Sequence, residues 1–369
     1  MRHSLNPFFD PQHRAPPPDP AVLRFQQSLV GYTPTPLLVL PQLAKSLGIA
    51  SLAVKDESWR FGLNAYKVLG ASWAAARLTS HADCPLTFAA ASTGNHGRAV
   101  AWSARYLDRR CVIFLPTRTS PERVAAILDL GAQVVAIDGT YDQAVAECIR
   151  QCAELGWQLV SDVQCGSHME SAHPIIEGYR TLFHEADMQR EEAKLPEPGI
   201  VFVQAGVGGL AGAAVRHYFG EDRRSRPCLA VVEPTAADCH LESIVSTLGT
   251  PSPALGSLES AMSCLNCRAV STASWPDIRS GAKLFLAIDD EWVERAMSAL
   301  YRPTPPDSQV AAGASGAAGL AGLMALLDAP EFASARKAVR LGPETHAMVV
   351  NTEGDNDPKH FARVVGRAG

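Results

Sequence analysis

Three glycine-rich segments have the makings of an anion site: STGNHG at 92–97, QAGVGGLAG at 204–212 and AGASGAAG at 312–319. Each reads as following an apolar strand and opening a helix. A strand that turns through glycines into a helix N-terminus presents unpaired backbone N–H groups and the positive end of the helix dipole. Tight turns and close helix packing explain the same glycines when each loop is taken alone. None of the three carries the dinucleotide fingerprint, and no GxxxxGK[ST] occurs, which excludes ATP hydrolysis of the P-loop kind. Lys67, in LNAYKVLGASWA, opens an otherwise apolar helix shortly after VKDES. An ammonium in such a setting is costly unless it is paired, and burial lowers its pKa toward the range where the amine is a nucleophile. A snorkelling lysine with its head in water is the plain alternative.

Other reactive types are weaker signals. Cys165 and His168 suggest a nucleophilic pair, but they share one loop and lack a third orienting group. Cys264-x-x-Cys267 suggests zinc, yet no second CxxC or HxxxH completes four ligands, and no metal is expected. His96 reads as a packed helix-terminal residue rather than a catalytic one. Asp162, closing WQLVSD, is either a helix cap or strand end, or a functional acid. Trp59, Trp73, Trp102 and Trp157 read as core or interface aromatics.

The elements that must position these groups alternate regularly. Strand-like SLAVKDE, PLTFAAAS, CVIFLP, AQVVAID, WQLVSDV, IVFVQAG, CLAVVEP and AMVVNTEG interleave with the helical runs NAYKVLGASWAAARL, NHGRAVAWSARYL, SPERVAAILDLG, YDQAVAECIRQCAELG, IIEGYRTLFHEAD and GLAGAAVRHYF. That alternation implies parallel sheets flanked by helices. Ser120-Pro121-Glu122 supplies a cap, a proline at the first helical position and an early acid, with Val124, Ile127 and Leu128 on one face. The first twenty residues hold six prolines and read as a surface arm. Glu191 to Pro198 reads as a connection between domains, and Thr247 to Pro276 as irregular.

At 369 residues, with 47% hydrophobic and 19% charged, the chain has the length of two globular domains. Thirty-three Lys plus Arg against thirty-eight Asp plus Glu give a net charge of -5, which argues against nucleic acid as a partner. No apolar run reaches the roughly 18–20 residues a bilayer crossing needs, and the proline-broken N-terminus is unlike a signal peptide. Nine scattered cysteines fit a reducing compartment. A cytoplasmic protein is expected.

KDES, LNAYK, STGNHG and GVGG, in this order, resemble the fold type II pyridoxal-phosphate enzymes, the group of the tryptophan synthase β-subunit, threonine dehydratase and cysteine synthase. The longer blocks RFGLNAYKVLGAS, NHGRAVAW, SPERVAAI, QAGVGGLAG, VVEPTAADC and NTEGDNDP look like the diaminopropionate ammonia-lyases, from about Tyr32 to Val365. The resemblance implies an α/β fold of two doubly wound domains with mostly parallel sheets. It divides the chain into a large domain, 1–69 and 181–369 with an N-terminal arm at 1–30, and a small domain at 70–180, with the cofactor in the cleft between them. It further implies pyridoxal 5'-phosphate as cofactor, an amino acid as substrate and a homodimer. Lys67 matches the lysine that carries the cofactor as a Schiff base and moves protons at the substrate Cα. Asn95 matches the asparagine that hydrogen-bonds the cofactor's phenolic oxygen. Gly206, Val207, Gly208 and Gly209 match the phosphate loop, and Thr352 the hydroxyl beside the pyridine nitrogen, with Glu353 and Asp355 nearby. Ser92, Thr93 and Asp162 fall at substrate-binding positions, Asp162 also matching a catalytic aspartate placed to meet a β-ammonium. Cys239 and Cys267 match two cysteines that can lie close enough to bridge, although separate thiols are the default in a cytoplasm.

The implied reaction is elimination of ammonia from L-2,3-diaminopropionate, giving aminoacrylate and then pyruvate. Several positions depart from the lyase pattern. Thr93 stands where these lyases commonly have the aspartate held to serve the D isomer, and a hydroxyl is too weak a base to replace it. Cys165-Gly166-Ser167-His168 replaces a Trp-Glu-Gly-Tyr run, and Ala314 replaces a glutamate. The alternatives are a β-replacement synthase, a hydroxy-amino-acid dehydratase, or an inactive homologue retained for binding.

Overall fold

The computed structural model of the chain describes residues 1–80, 86–162, 171–221, 223 and 226–366. Cys165, Gly166, Ser167 and His168 lie outside the described residues. The short β-branched runs form strands β1 (Arg2–Leu5), β2 (Leu37–Val39), β3 (Ser51–Asp56), β4 (Thr87–Ala91), β5 (Arg110–Pro116), β6 (Gln133–Ile137), β7 (Gln158–Leu159), β8 (Ile200–Gln204), β9 (Cys228–Pro234), β10 (Leu284–Ile288) and β11 (His346–Asn351). Two compact units emerge: Met1–Pro18, Thr33–Asn64 and Leu182–Gly369 make the first, and Asp19–Tyr32 with Ala65–Thr181 the second.

The first unit is built on a seven-stranded sheet of order β1-β10-β9-β8-β11-β3-β2. Its inner pairings are parallel, and only the two edges, β1 on β10 and β2 on β3, run antiparallel. Strands β8 and β9 follow one another outward, whereas β11 returns to lie between β8 and β3. The strand order therefore reverses at β8 and β11, the place where α/β sheets open a crevice at their carboxyl ends. The residues that follow those two strands are the QAGVGG loop and Thr352. The helix Ala314–Asp328 is buried on every side through Leu326 and belongs to the core with Val54, Phe202 and Val232.

The second unit has a wholly parallel four-stranded sheet of order β6-β5-β4-β7. Here the reversal lies between β4 and β7, which are followed by Ser92–Gly94 and by Asp162. Its core joins Ala89, Val112 and Phe114 to Ala144, Cys148 and Cys152 on the helix Tyr141–Leu155.

Several expectations need correction. The N-terminal arm is not wholly a surface strap, because Arg2–Leu5 adds a strand to β10 with Ser4 opposite Phe285. The AGASG segment follows the helix Asp290–Tyr301 and an irregular stretch, not a strand. Residues 191–198 lie inside the first unit and do not connect units. The helix at Lys67 starts there and not at Asn64, which has a φ of 52° that no helix continues. Of the face formed by Val124, Ile127 and Leu128, only Ile127 is buried and Leu128 is 50% exposed. Trp59 is 69% exposed, its indole N–H donating to Asp56, whereas Trp73 is buried.

The VKDES-x-R segment is fixed in the first unit by a buried ionic cluster. Lys55 Nζ donates to Glu185 Oε2 at 2.7 Å and to the Thr35 carbonyl at 2.6 Å. Arg60 forks onto Glu57 at 2.8 and 2.9 Å and onto Glu185 at 2.7 and 2.8 Å. Two cations face two carboxylates, so the group is neutral overall. Burial alone would raise the Glu185 carboxyl, but Arg60 and Lys55 hold it below its ordinary value. Replacing Glu185 by Gln leaves two buried cations on one acid, and should destabilise the fold by about 3 kcal/mol. Because the folded value lies below the unfolded one, this contribution is complete above the unfolded carboxyl pKa and fades as the pH falls. Urea unfolding of the unmutated chain and of Glu185→Gln should therefore differ at pH 7 and converge in acid; equal stabilities at pH 7 contradict the assignment.

Candidate active site

Lys67 is the first residue of the helix Lys67–Ser80 in the second unit. Its surroundings depend on a close crossing with the helix Ala172–Glu192. A Cβ on Gly178 would lie 2.3 Å from the Leu69 carbonyl oxygen, and one on Gly70 would lie 2.5 Å from the Tyr179 ring, so only glycines permit the approach. Gln26, fully buried, locks the crossing by donating to Leu69 O at 2.8 Å and Gly178 O at 3.1 Å. The crossing brings Tyr179 against Tyr66, ring centroids 4.7 Å apart, and sets Lys67 Nζ 5.8 and 5.5 Å from the two ring centres.

The ammonium is paired. Lys67 Nζ donates to Asp162 Oδ2 at 2.7 Å, both side chains being 17% exposed. Burial alone would lower the lysine and raise the aspartate. Their mutual attraction wins, with Lys67 held well above its ordinary value and Asp162 well below its own. This corrects the expectation of a lysine depressed by burial, because Asp162 is the partner the sequence did not reveal. His96 donates from Nε2 to the Val160 carbonyl at 2.9 Å and turns Nδ1 toward Asp162, 3.9 Å away. It packs as a helix-terminal residue while steadying the strand end that carries the acid.

Ser92 to Gly94 follow β4, and the Gly94 N–H donates to Ser92 Oγ at 3.3 Å. Ser92 is buried, whereas Thr93 and Asn95 are half-buried. Asn95 opens the helix Asn95–Tyr106, whose cap, Gly94, offers no side-chain acceptor. Lys67, Asp162 and His96 are thus brought together in one unit, with Ser92, Thr93 and Asn95 following β4, the strand next to the one that Asp162 follows.

The remaining candidates belong to the first unit. Gly208, with φ 99°, caps the helix Gly209–Tyr218 and, having no side chain, puts no capping acceptor over the first N–H groups of that helix. Cβ atoms added here meet walls: 2.9 Å from Cys264 O at Gly206, and 2.5 Å from His240 Nε2 and 2.9 Å from Ser274 Oγ at Gly208. Val207 is tied down through its carbonyl by the Ser271 N–H at 2.8 Å. Thr352, buried, follows β11 and accepts from Gln204 Nε2 at 2.9 Å. That same nitrogen reaches the carbonyls of Ser315, Gly316 and Val350 at 2.9 to 3.0 Å, joining the ends of β8 and β11 to the helix that Ala314 opens. Glu353 is buried and accepts from the Cys264 thiol, while Asp355 accepts from Asn64 at 3.2 Å. Cys239 is a buried, unbridged thiol.

Each unit holds groups of the kind that suit pyridoxal phosphate. In the first, a glycine cradle at a helix N-terminus suits a phosphate and Thr352 offers a hydroxyl; in the second, the largely buried Lys67 suits an aldehyde and Asn95 offers an amide. Sequence reasoning missed Tyr179, Gln26 and Gln204, which act over distances of tens to hundreds of residues. Only Gln204 carried a signal, through its place in QAGVGG.

Comparison with known proteins agrees. The family profile described as pyridoxal-phosphate dependent enzyme matches residues 29–341. Diaminopropionate ammonia-lyase of Escherichia coli (strain K12) is 35% identical over 359 residues, covering 93% of this chain and 89% of the relative. The counterpart from Salmonella typhimurium is 34% identical over 366 residues, covering 93% and 91%. The solved structure of the Escherichia coli lyase in complex with an aminoacrylate-PLP azomethine reaction intermediate superposes with a TM-score of 0.89 at 34% identity, covering 99% of this chain and 96% of that one.

Gly208→Ala forces a side chain into a left-handed backbone and against His240. It should cost about 2 kcal/mol of stability and weaken pyridoxal-phosphate binding, read by fluorescence titration. A variant that melts and binds like the unmutated chain contradicts the cradle.

Proposed function

The chain belongs to the pyridoxal-phosphate dependent enzymes of fold type II, and from that premise we propose that it is a lyase eliminating ammonia from L-2,3-diaminopropionate. The observation that carries this reading is the Lys67–Asp162 pair at 2.7 Å. The cofactor duties fall to Lys67 for the covalent link, Asn95 for the phenolic oxygen, Gly206 to Gly209 for the phosphate and Thr352 for the ring nitrogen. Ser92, Thr93 and Asp162 face the substrate. When bound, pyridoxal phosphate supplies an electron sink for the carbanion left at Cα.

The protein's own task is to move one proton and hold one cation. Once the Lys67 nitrogen is committed to the cofactor, Asp162 is a largely buried carboxylate without its partner, which is unfavourable. A β-ammonium on the substrate restores the pair, whereas a hydroxyl does not, and this favours a diamino acid over serine or threonine. Lys67, set free as a neutral amine when the substrate's α-amino group takes its place, would take the Cα proton as a positioned base. The β-nitrogen arrives already protonated and departs as neutral ammonia. Released 2-aminoacrylate then reacts with water to give pyruvate and a second ammonia. Removal of the Cα proton of the D isomer needs a base on the opposite face, and Thr93 supplies none.

Thr93 and Ala314 favour a second reading, a β-replacement in which another nucleophile captures the aminoacrylate; a requirement for a co-substrate distinguishes it. Assembly as a homodimer in the cytoplasm, which the resemblance carries with it, completes the proposal, and a sedimenting mass of roughly twice the 39.4 kDa chain checks the dimer.

A coupled assay for pyruvate should register turnover of the L isomer and none above background for the D isomer; comparable rates contradict the role of Thr93. Asp162→Asn should lower kcat/KM for the L isomer by about 100-fold, the cost of removing one partner of a desolvated charge pair. An unchanged value removes Asp162 from the mechanism.

A further inference from the structure

His240 is a fully buried histidine with half of its hydrogen-bonding capacity spent. Its Nδ1 lies 2.9 Å from Glu233 Oε1, which also accepts the His240 main-chain N–H at 2.8 Å, while Glu233 Oε2 accepts the Leu241 N–H at 2.9 Å. A carboxylate only accepts, so Nδ1 is the donor and the ring orientation is set. The Trp275 ring, with its centroid 6.0 Å away, packs against the imidazole. Cys239 completes the buried group, but its thiol is pushed up by burial and by Glu233, which leaves it a poor metal ligand, and Glu233 is already saturated by N–H groups.

The other ring nitrogen has no partner among the described residues. Nε2 is buried and unbonded, and it lies 2.5 Å from where a Cβ on Gly208 would stand. Gly208 caps the ten-residue helix Gly209–Tyr218 and makes no side-chain cap bond. A buried polar atom left unbonded is unfavourable, and this one is placed against a helix N-terminus, the end whose N–H groups and dipole suit an anion. Apolar packing at this position has no need of a polar ring oriented by a carboxylate.

We propose that His240 is a phosphate-binding residue: Nε2–H donates to the phosphate group seated on the Gly206–Gly209 loop, and Glu233 positions the ring through Nδ1. With the anion bound, the imidazole carries a proton on each nitrogen, the second drawn from solvent, and stands as a cation between two anions. This rests on the reading that the loop takes the phosphate of pyridoxal phosphate. It adds a charged, side-chain determinant to a cradle otherwise made of backbone.

The test compares two probes on the full chain freed of cofactor, pyridoxal 5'-phosphate and unphosphorylated pyridoxal, by fluorescence titration. His240→Leu should weaken the phosphorylated probe by about 10- to 100-fold, the effect of losing a charge-assisted hydrogen bond, and leave pyridoxal within about 2-fold. His240→Gln, which keeps an N–H donor, should recover part of the loss. Equal affinities of the Leu variant and the unmutated chain for pyridoxal phosphate overturn the proposal. In the unmutated protein, an imidazole 15N resonance should move on addition of pyridoxal phosphate and not of pyridoxal, which tests the contact without any variant having to fold; no movement overturns it as well. Failure of the unmutated chain to bind pyridoxal phosphate at all brings down the cofactor reading itself, and the role of His240 with it.

Discussion

A lysine ammonium removed from water must have an anion, and in this chain that anion is Asp162. The demand fixes much of the second unit. The acid follows a strand of only two residues, β7, held beside β4 by its pairing of Gln158 and Leu159 with Phe88 and Ala89. The lysine opens a helix whose position is set by a glycine-on-glycine crossing and by Gln26. Neither partner is tolerable where it lies without the other. The pair also carries the proposed function, in which a carboxylate that gives up one cation to the cofactor would select a substrate that brings another.

The two sheets solve the same positioning problem in the same way. In each, the strand order reverses at a pair of parallel neighbours, and the loops that leave those neighbours carry the candidate site residues. Strands β4 and β7 deliver Ser92 to Asn95 and Asp162; strands β8 and β11 deliver the glycine loop and Thr352. In the first unit Gln204 ties both strand ends to the helix behind them with a single amide nitrogen. A neutral ionic cluster of Lys55, Arg60, Glu57 and Glu185 holds the VKDES segment in the first unit.

Much of this was legible in the sequence because it is local. Strand-then-glycine-then-helix patterns at 92–97 and 204–212 carry their own geometry, and the alternation of short apolar runs with helical ones dictates parallel sheets. What was hidden is long-range. Nothing in LNAYK announces that an acid 95 positions later will pair the lysine and raise its pKa, reversing the shift expected from burial. Glu185 sits 130 residues from Lys55, and the pairing of Arg2–Leu5 with β10 spans nearly the whole first unit. The AGASG segment misled because its glycines resemble a strand-to-helix turn, while their function is close packing: a Cβ on Gly316 would lie 2.3 Å from the Glu353 carbonyl oxygen.

The proposed function turns on Lys67 being the lysine that carries the cofactor. Lys55 is buried as well, but its ammonium is committed to Glu185 and the Thr35 carbonyl, whereas the partner of Lys67 is an acid that a substrate cation can take over. Borohydride reduction of the cofactor-loaded protein, followed by proteolysis and mass spectrometry, reads the attachment point directly. A phosphopyridoxyl group is expected on the peptide containing Lys67 and on no other; attachment at Lys55 or elsewhere, or no attachment, overturns the assignment.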